Sequence, residues 1–413
     1  MKIIDKKYYP WVVVALLWVV ALLNYMDRQM LSTMQVSMKA DIHELNQAEA
    51  FGALMAVFLW VYGIVSPFAG MVADKVNRKW LVVGSLFVWS AVTLAMGYAT
   101  SFNQLYYLRG IMGISEALYI PSALSLLADW HEGKSRSLAI GIHMTGIYMG
   151  QAIGGFGAVV AALLSWKTAF HWFGIIGIVY ALVLGMLLHE KPSHGQTLNV
   201  AAQKTAPKAS LLSGFGVILS NWVFWVILFF FAVPSLPGWA TKNWLPTLFA
   251  QNLGIPMEEA GPISTITIAA SSFLGVILGG SLSDWWVKRH LKGRVYTSAI
   301  GLGLTIPALI LLGFGHNLLA IVGAGLLFGV GYGMFDANNM PILCQFISTK
   351  QRATAYGIMN MTGVFAGAAV TQVLGKWTDG NQLGTGFAFL GAIVALALFV
   401  QLLFLKPQTD NME

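Results

Sequence analysis

Seven ionisable residues lie inside long apolar runs of this sequence: Asp27, Arg28, Arg109, Glu116, His143, Lys242 and Asp336. The stretch from Leu22 to Met30, LLNYMDRQM, sets an acid beside a base directly after Trp11 to Leu23, a run that carries no charge. An ionisable group in hydrocarbon costs about 2.5 to 3.5 kcal/mol on insertion scales, so it persists only when paired or used. Three bases with few acids in a low dielectric make an anion site, and the planar fork of arginine suits carboxylate or phosphate. Burial and a neighbouring arginine pull a carboxyl group's proton affinity in opposite senses. An anion that competes for the arginine therefore frees the acid to take a proton, which makes Asp27 and Glu116 candidate proton carriers. A bland reading stands beside each assignment. Asp27 and Arg28 read equally as a structural pair pinning one helix to another, Arg109 and Glu116 as a pair satisfied within one helix, and Lys242 as a side chain snorkelling to the surface.

These charges need long helices to hold them. The chain of 413 residues is 57% hydrophobic and 10% charged, too few charges to cover a water-facing surface. Twelve apolar segments, each near the roughly 20 residues that cross a bilayer, lie near 11–34, 49–73, 80–99, 102–128, 136–163, 167–188, 217–250, 261–285, 294–314, 317–343, 353–378 and 383–405. With both termini cytoplasmic, the inside segments hold 18 of the 24 Lys and Arg and the outside loops hold Lys39, Lys167 and Lys376, which sets the orientation. Along their spans Asp27 and Arg28 sit roughly 8 Å, and Arg109 and Lys242 about 9 Å, to the outer side of centre, with Glu116 near the midplane. Arg109 and Glu116, two turns apart, share a face.

The chain also repeats itself. Gly70 to Lys79, with Asp74 and Arg78, recurs as Gly280 to Arg289, with Asp284 and Lys288. Arg136 to Gly141 recurs as Arg352 to Gly357, and Gly113 to Glu116 followed by Pro121 recurs as Gly333 to Asp336 followed by Pro341. The offsets of 210, 216 and 220 residues place each match at the equivalent span of the other half. A polar connection, residues 189–213, separates six spans from six. The expected architecture is an all-α membrane protein of twelve transmembrane helices in two pseudo-symmetric six-helix bundles, residues 1–188 and 214–413.

Twelve spans in two halves, with G-x-x-x-D-x-x-x-R-K between spans two and three, resemble the major facilitator superfamily. The resemblance implies transport by rocking one half against the other around a midplane site, with Asp74, Arg78, Asp284 and Arg289 as a cytoplasmic gate. Asn24-Tyr25-x-Asp27-Arg28, Arg109-x-x-x-Gly113-x-x-Glu116 and Asn243-Trp244-Leu245-Pro246-Thr247 are similar to motifs of the anion:cation symporters, which include hexuronate and galactonate carriers, sialin and the vesicular glutamate transporters. That resemblance implies a proton role for Asp27 and Glu116 and an anion role for Arg28 and Arg109. Glu116-Ala-Leu-Tyr119-Ile-Pro121 also resembles the Spinster lipid carriers.

Supporting candidates are the polar side chains of the spans. Tyr148 and Gln151 lie on span 5, Asn360 on span 11, and Asn338 and Asn339 beside Asp336 on span 10. These amides suit the hydroxyls of a sugar, although polar groups in helical bundles also simply bond across helices. Asp336 has no arginine counterpart, since Gly329 occupies the place of Arg109; a proton role is assigned to it as well. Pro234-Ser-Leu-Pro237-Gly238 is expected to break span 7 and act as a hinge. The single cysteine gives neither disulfide nor metal site, and no phosphate-binding loop or catalytic domain is present. The sequence reads as a non-enzymatic symporter of the bacterial inner membrane. It is expected to import a small organic anion, best a hexuronate or aldonate, with protons, as a monomer in the lipid bilayer, without cofactor or nucleic acid. Spinster-like carriage of amphiphiles or neutral solutes, or phosphate-ester antiport, are the alternatives.

Overall fold

The structure is a computed structural model that describes residues 8–131, 134–191, 220–348 and 351–410. Residues 192–213 of the expected linker, and the side chain of Asp74, lie outside the described residues. Among the described residues every regular element is a helix. The first half contains α1 (Tyr9–Leu31), the short α2 (Gln35–Met38), α3 (Ala48–Lys75), α4 (Arg78–Met96), α5 (Phe102–Ala117), α6 (Tyr119–Trp130), α7 (Lys134–Gly154), α8 (Gly157–Leu164) and α9 (Trp166–Leu187). The second contains α10 (Trp222–Leu253), α11 (Met257–Val287), α12 (Gly293–Phe314), α13 (Leu318–Asp336), α14 (Asn339–Phe346), α15 (Arg352–Asp379) and α16 (Leu383–Phe404). Eleven helical runs among the described residues, counting α5 with α6 and α13 with α14 as one run each, are long and apolar enough to cross a membrane, and α7 with α8, bent by 45°, makes a twelfth span.

Side-chain oxygens start many of these helices, as the sequence suggests. Ser101 accepts from Gln104 N, Asn221 from Val223 N and Asn317 from Ala320 N, covering donors that the first turn leaves unpaired. Spans 4 and 10 are each broken in the same place, after the acid of the repeat. Pro121 and Pro341 have no N–H to give to Ala117 O and Ala337 O, so α5 ends at Ala117 and α13 at Asp336. Glu116 and Asp336 thereby sit at the ends of interrupted helices deep in the bundle.

The expected break at Pro234 to Gly238 does not occur: α10 runs without interruption from Trp222 to Leu253. Unravelled backbone would leave several polar groups bare in hydrocarbon. Packing also holds this segment on two sides, with Tyr332 against Gly238 and Trp239 against Gly367.

Small residues let the helices approach. Gly146, Gly150 and Gly154 form one stripe of α7, and Cβ atoms there would press on the α1 backbone, 2.7 Å from Trp18 O and 2.8 Å from Met26 O at the first and last. The halves meet through α3 with α15 and through α7–α8 with α11. These contacts gather at the end away from the basic loops. There a Cβ at Gly375 would lie 2.7 Å from Ala48 O and one at Gly155 2.8 Å from Gly261 O. Asp379 accepts from the first-turn amides of α3, Ala48 N at 2.7 Å and Glu49 N at 2.8 Å, and Lys376 pairs with Glu49 at 3.1 Å. Towards the basic loops, Cβ atoms at Gly141, Gly280 and Gly357 would meet nothing within 4 Å. Among the described residues, the halves are sealed together at one end and stand apart at the other.

Candidate functional site

Arg28 of α1 and Glu116 of α5 form an ion pair, Nε to Oε2 at 2.5 Å, with side chains 12% and 0% exposed. The pair is made across helices, so Glu116 does not pair with Arg109 within its own helix. The Arg28 guanidinium lies 4.6 Å from the ring centre of Phe58 and 5.0 Å from those of Tyr25 and Tyr62. Arg109 lies 4.7 Å from the same Phe58 ring and gives an N–H to Met112 Sδ at 3.1 Å. Desolvating two such charges costs several kcal/mol per ion unless their remaining valences are filled. Here Arg28 Nη2, Glu116 Oε1 and Arg109 Nε are buried without a protein hydrogen-bond partner. Two of these three atoms are N–H donors on guanidiniums, the kind of valence that suits a carboxylate or phosphate oxygen.

Asp27 points elsewhere. Neighbouring residues of a helix diverge by about 100°, and Asp27 turns between α1, α4 and α9, where Thr93 donates its hydroxyl to Oδ2 at 2.8 Å. It borders a void of about 10 Å³ with Trp89, Ser90 and Gly177.

The facing wall comes from the second half. The Lys242 ammonium rests 4.7 Å from the ring centre of Trp239, and α1 touches α10 beside it, where Gln29 Nε2 donates to Lys242 O at 2.9 Å. That carbonyl is free because Pro246, four residues on, has no N–H. Asp336 Oδ1 accepts from Asn339 Nδ2 at 3.1 Å. The Asp336 side chain is exposed although it lies deep in the bundle, since it faces the parted space between the halves. It lies within electrostatic reach of Lys242, Tyr25, Tyr148 and Tyr356, side chains from both halves.

Other sequence candidates are distributed unevenly. Gln151 joins Gln29 and Lys242 around a second void of about 10 Å³ under the sealed end. Asn360 is half-buried on α15. Asn243 is committed to Thr371 Oγ1 at 2.7 Å, and Asn338, fully buried, to Met334 O at 2.8 Å. Asn24 is fully buried, with neither amide atom partnered. Of the gate residues, Arg78 pairs with Asp129 of its own half, while Asp284 and Arg289 are exposed and Arg289 lies over Trp285. The sequence reading missed Phe58 and Tyr62; their i, i+4 spacing on span 2 was the available signal.

A separate groove of about 430 Å³ runs along the seam of α7–α8 with α11 and is lined by Met149, Ile153, Phe156, Ile266 and Phe273 among others. Tyr148 and Phe273, ring centres 5.9 Å apart, stand at one side of it.

A chain of this build has many relatives. A protein of Escherichia coli strain K12 described as "Probable galactarate/D-glucarate transporter GarP" is 24% identical over 435 residues, 98% of this chain and 96% of its own length. The hexuronate transporter of the same organism is 26% identical over 407 residues, covering 94% and 90%. Among solved structures, a bacterial homologue of the human lysosomal transporter Spinster, in an inward-facing and occupied conformation, superposes with a TM-score of 0.81 at 19% identity, covering 99% of this chain and 100% of that one. The fold is thus that of membrane transporters, and the chain is not an enzyme. The Major Facilitator Superfamily model matches residues 17–371 and again 267–412, and with two six-span halves built on one repeat, the chain belongs to that superfamily.

Proposed function

We propose that this protein is a proton-coupled symporter that imports a sugar acid across the bacterial inner membrane by alternating access. The basic loops then lie in the cytoplasm with both termini, and the conformation described is open to the inside. No cofactor is needed; the proton gradient supplies the energy, and the monomer is the working unit. The observation that carries the reading is the Arg28–Glu116 pair, short and buried yet with Arg28 Nη2 and Glu116 Oε1 unfilled. A substrate carboxylate takes Arg28 and Arg109; Glu116, released from its partner, takes a proton. Asp27, buried against Thr93, and Asp336, facing the cavity, are the further proton carriers in this scheme. Tyr25, Tyr148, Gln151 and Asn360 address hydroxyls. The names of the relatives support sugar acids as the substrate class.

The test is uptake of labelled glucuronate and galactonate into proteoliposomes under an inward proton gradient, for the native chain and Glu116→Gln. Gradient-driven uptake lost in Glu116→Gln while counterflow exchange persists is the expected result. Absence of sugar-acid uptake by the native chain would sink the reading.

One observation favours a second reading. The apolar groove on the α7–α8 and α11 seam suits the tail of an amphiphile. Saturable binding of a lysolipid that competes with no sugar acid would move the assignment to a lipid carrier.

A further inference from the structure

We infer that the loop between α11 and α12 is a binding site for the phosphate of an anionic phospholipid, which does for the second half what two acids of the chain do for the first. The repeat supplies the comparison. In the first half the loop between α3 and α4 is neutralised from within. Arg78 pairs with Asp129 near the end of α6, and Glu190, just after α9, accepts from Asn77 Nδ2 at 2.8 Å and from Arg78 N. Asp129 stands seven residues before Arg136, and seven residues before the counterpart Arg352 stands Gln345. Glu190-Lys191-Pro192 likewise recurs as Leu405-Lys406-Pro407, with leucine in the place of the acid. Both neutralising acids are thus replaced by uncharged residues in the second half.

The bases, however, remain. Lys288, Arg289, His290 and Lys292 follow α11, with Asp284 as the one acid of that stretch. Among the described residues none of the four basic side chains has a carboxylate within 4.0 Å, and Lys288, Arg289 and His290 are exposed. Gln345, in the place of Asp129, braces the loop without charge: its Nε2 donates to Leu291 O at 2.9 Å. The Arg289 guanidinium lies 4.1 Å from the ring centre of Trp285, and Trp285 is 51% exposed. Leu291, set among the bases, is exposed as well. A ring and a base side by side at the end of a span suit the boundary between acyl chains and headgroups, where anionic lipids attract each nearby Lys or Arg. Trp285 and Leu291 meet the apolar part of such a molecule, which a free phosphate ion lacks. The inference does not depend on which solute the protein carries.

The probe is a fluorescent short-chain phosphatidylglycerol, titrated against the full chain in neutral detergent, with the matching phosphatidylcholine as the zwitterionic comparison. The native protein should bind the anionic lipid about tenfold or more tightly than the zwitterionic one, and the preference should fade as salt rises towards about 1 M. Lys288→Gln with Arg289→Gln should bring the ratio close to one, since each base near the surface contributes about fivefold. Lys79→Gln, a loss of charge in the neutralised loop of the first half, should leave the ratio unchanged. Equal binding of the two lipids by the native protein overturns the inference. So does a loss in Lys79→Gln as large as in the double variant. Displacement of the lipid by inorganic phosphate at matched concentration overturns it too, because it marks a site for free anions. Should the double variant fail to fold, Lys292→Gln and the salt titration of the native protein decide. None of these outcomes bears on the sugar-acid reading.

Discussion

At the scale of single residues, two guanidiniums lean on one ring. Phe58 lies under Arg28 and Arg109 at 4.6 and 4.7 Å, and each cation held over an aromatic face gains about 0.5 to 2 kcal/mol. Phe58→Leu, which keeps bulk and removes the ring, should raise the substrate KM about tenfold with fold and expression intact; Phe58→Tyr should stay close to native. Transport assays at several substrate concentrations separate these outcomes. Outside the spans, Asp41 accepts from Trp166 Nε1 at 2.8 Å and pairs with Lys167 at 3.2 Å, and these contacts hold its carboxyl below the usual range. A depressed folded value means a stabilisation present above the unfolded value and lost as pH falls through the folded one. Asp41→Asn should therefore lower the melting temperature at neutral pH, with the gap closing below pH about 4. Thermal unfolding followed across that range checks it. The charged members of the site were legible because charge inside an apolar run is conspicuous. Phe58 and Tyr62 were not, since they are two of the 24 Phe and 13 Tyr in a membrane chain that uses aromatics everywhere.

At the scale of elements, proline acts by which carbonyl it frees. Pro121 and Pro341 end α5 and α13 beside the two acids, and Pro246 leaves Lys242 O open to Gln29 of the other half. Where α7 stops, Ala152 O accepts from Gly155 N at 3.3 Å and also lies 3.1 Å from Thr265 Oγ1 of α11, whose one proton is shared between it and Gly261 O of its own helix at 3.0 Å. The two bonds tie the halves together near the sealed end. Gln29→Leu with Thr265→Val removes both donors at little change in volume, and at about 1 kcal/mol each should shift the balance of the two conformations by roughly tenfold or more. Distance measurements between spin labels on the two halves would register the shift. An unchanged distribution would show that packing alone holds the seal. Twelve spans and the repeat were legible because hydropathy over some twenty residues is a strong signal. Continuity within a span was harder to read. Pro234 and Pro237 suggested a break that packing suppresses, whereas the bend after Gly154 has no proline to announce it.

At the scale of the whole molecule, one end is closed by contacts that the other end is shaped to repeat. Along the seam of α7 and α11, Tyr148 faces Phe273. Continuing that antiparallel register by seven residues in each helix sets Gly141 opposite Gly280, both with open space around them. Paired substitutions Gly141→Cys and Gly280→Cys should cross-link only when the opposite end has parted, and the linked protein should lose transport. Cross-linking that is equally fast with and without Gln29→Leu and Thr265→Val would argue against this coupling of the two ends. Gly155→Leu should act from the other side, since its Cβ would already lie 2.8 Å from Gly261 O. The expected result is a protein that rests with the now sealed end open.

The acceptors of the two bonds across the seal are main-chain oxygens, Lys242 O and Ala152 O. A side-chain replacement at either position leaves its oxygen in place. Mutation therefore reaches these bonds through their donors, Gln29 and Thr265, one at a time. A lineage can loosen or tighten the resting conformation in single steps there while the cavity residues remain untouched. Turnover can thus drift separately from substrate choice, as two nearly independent heritable traits of one chain.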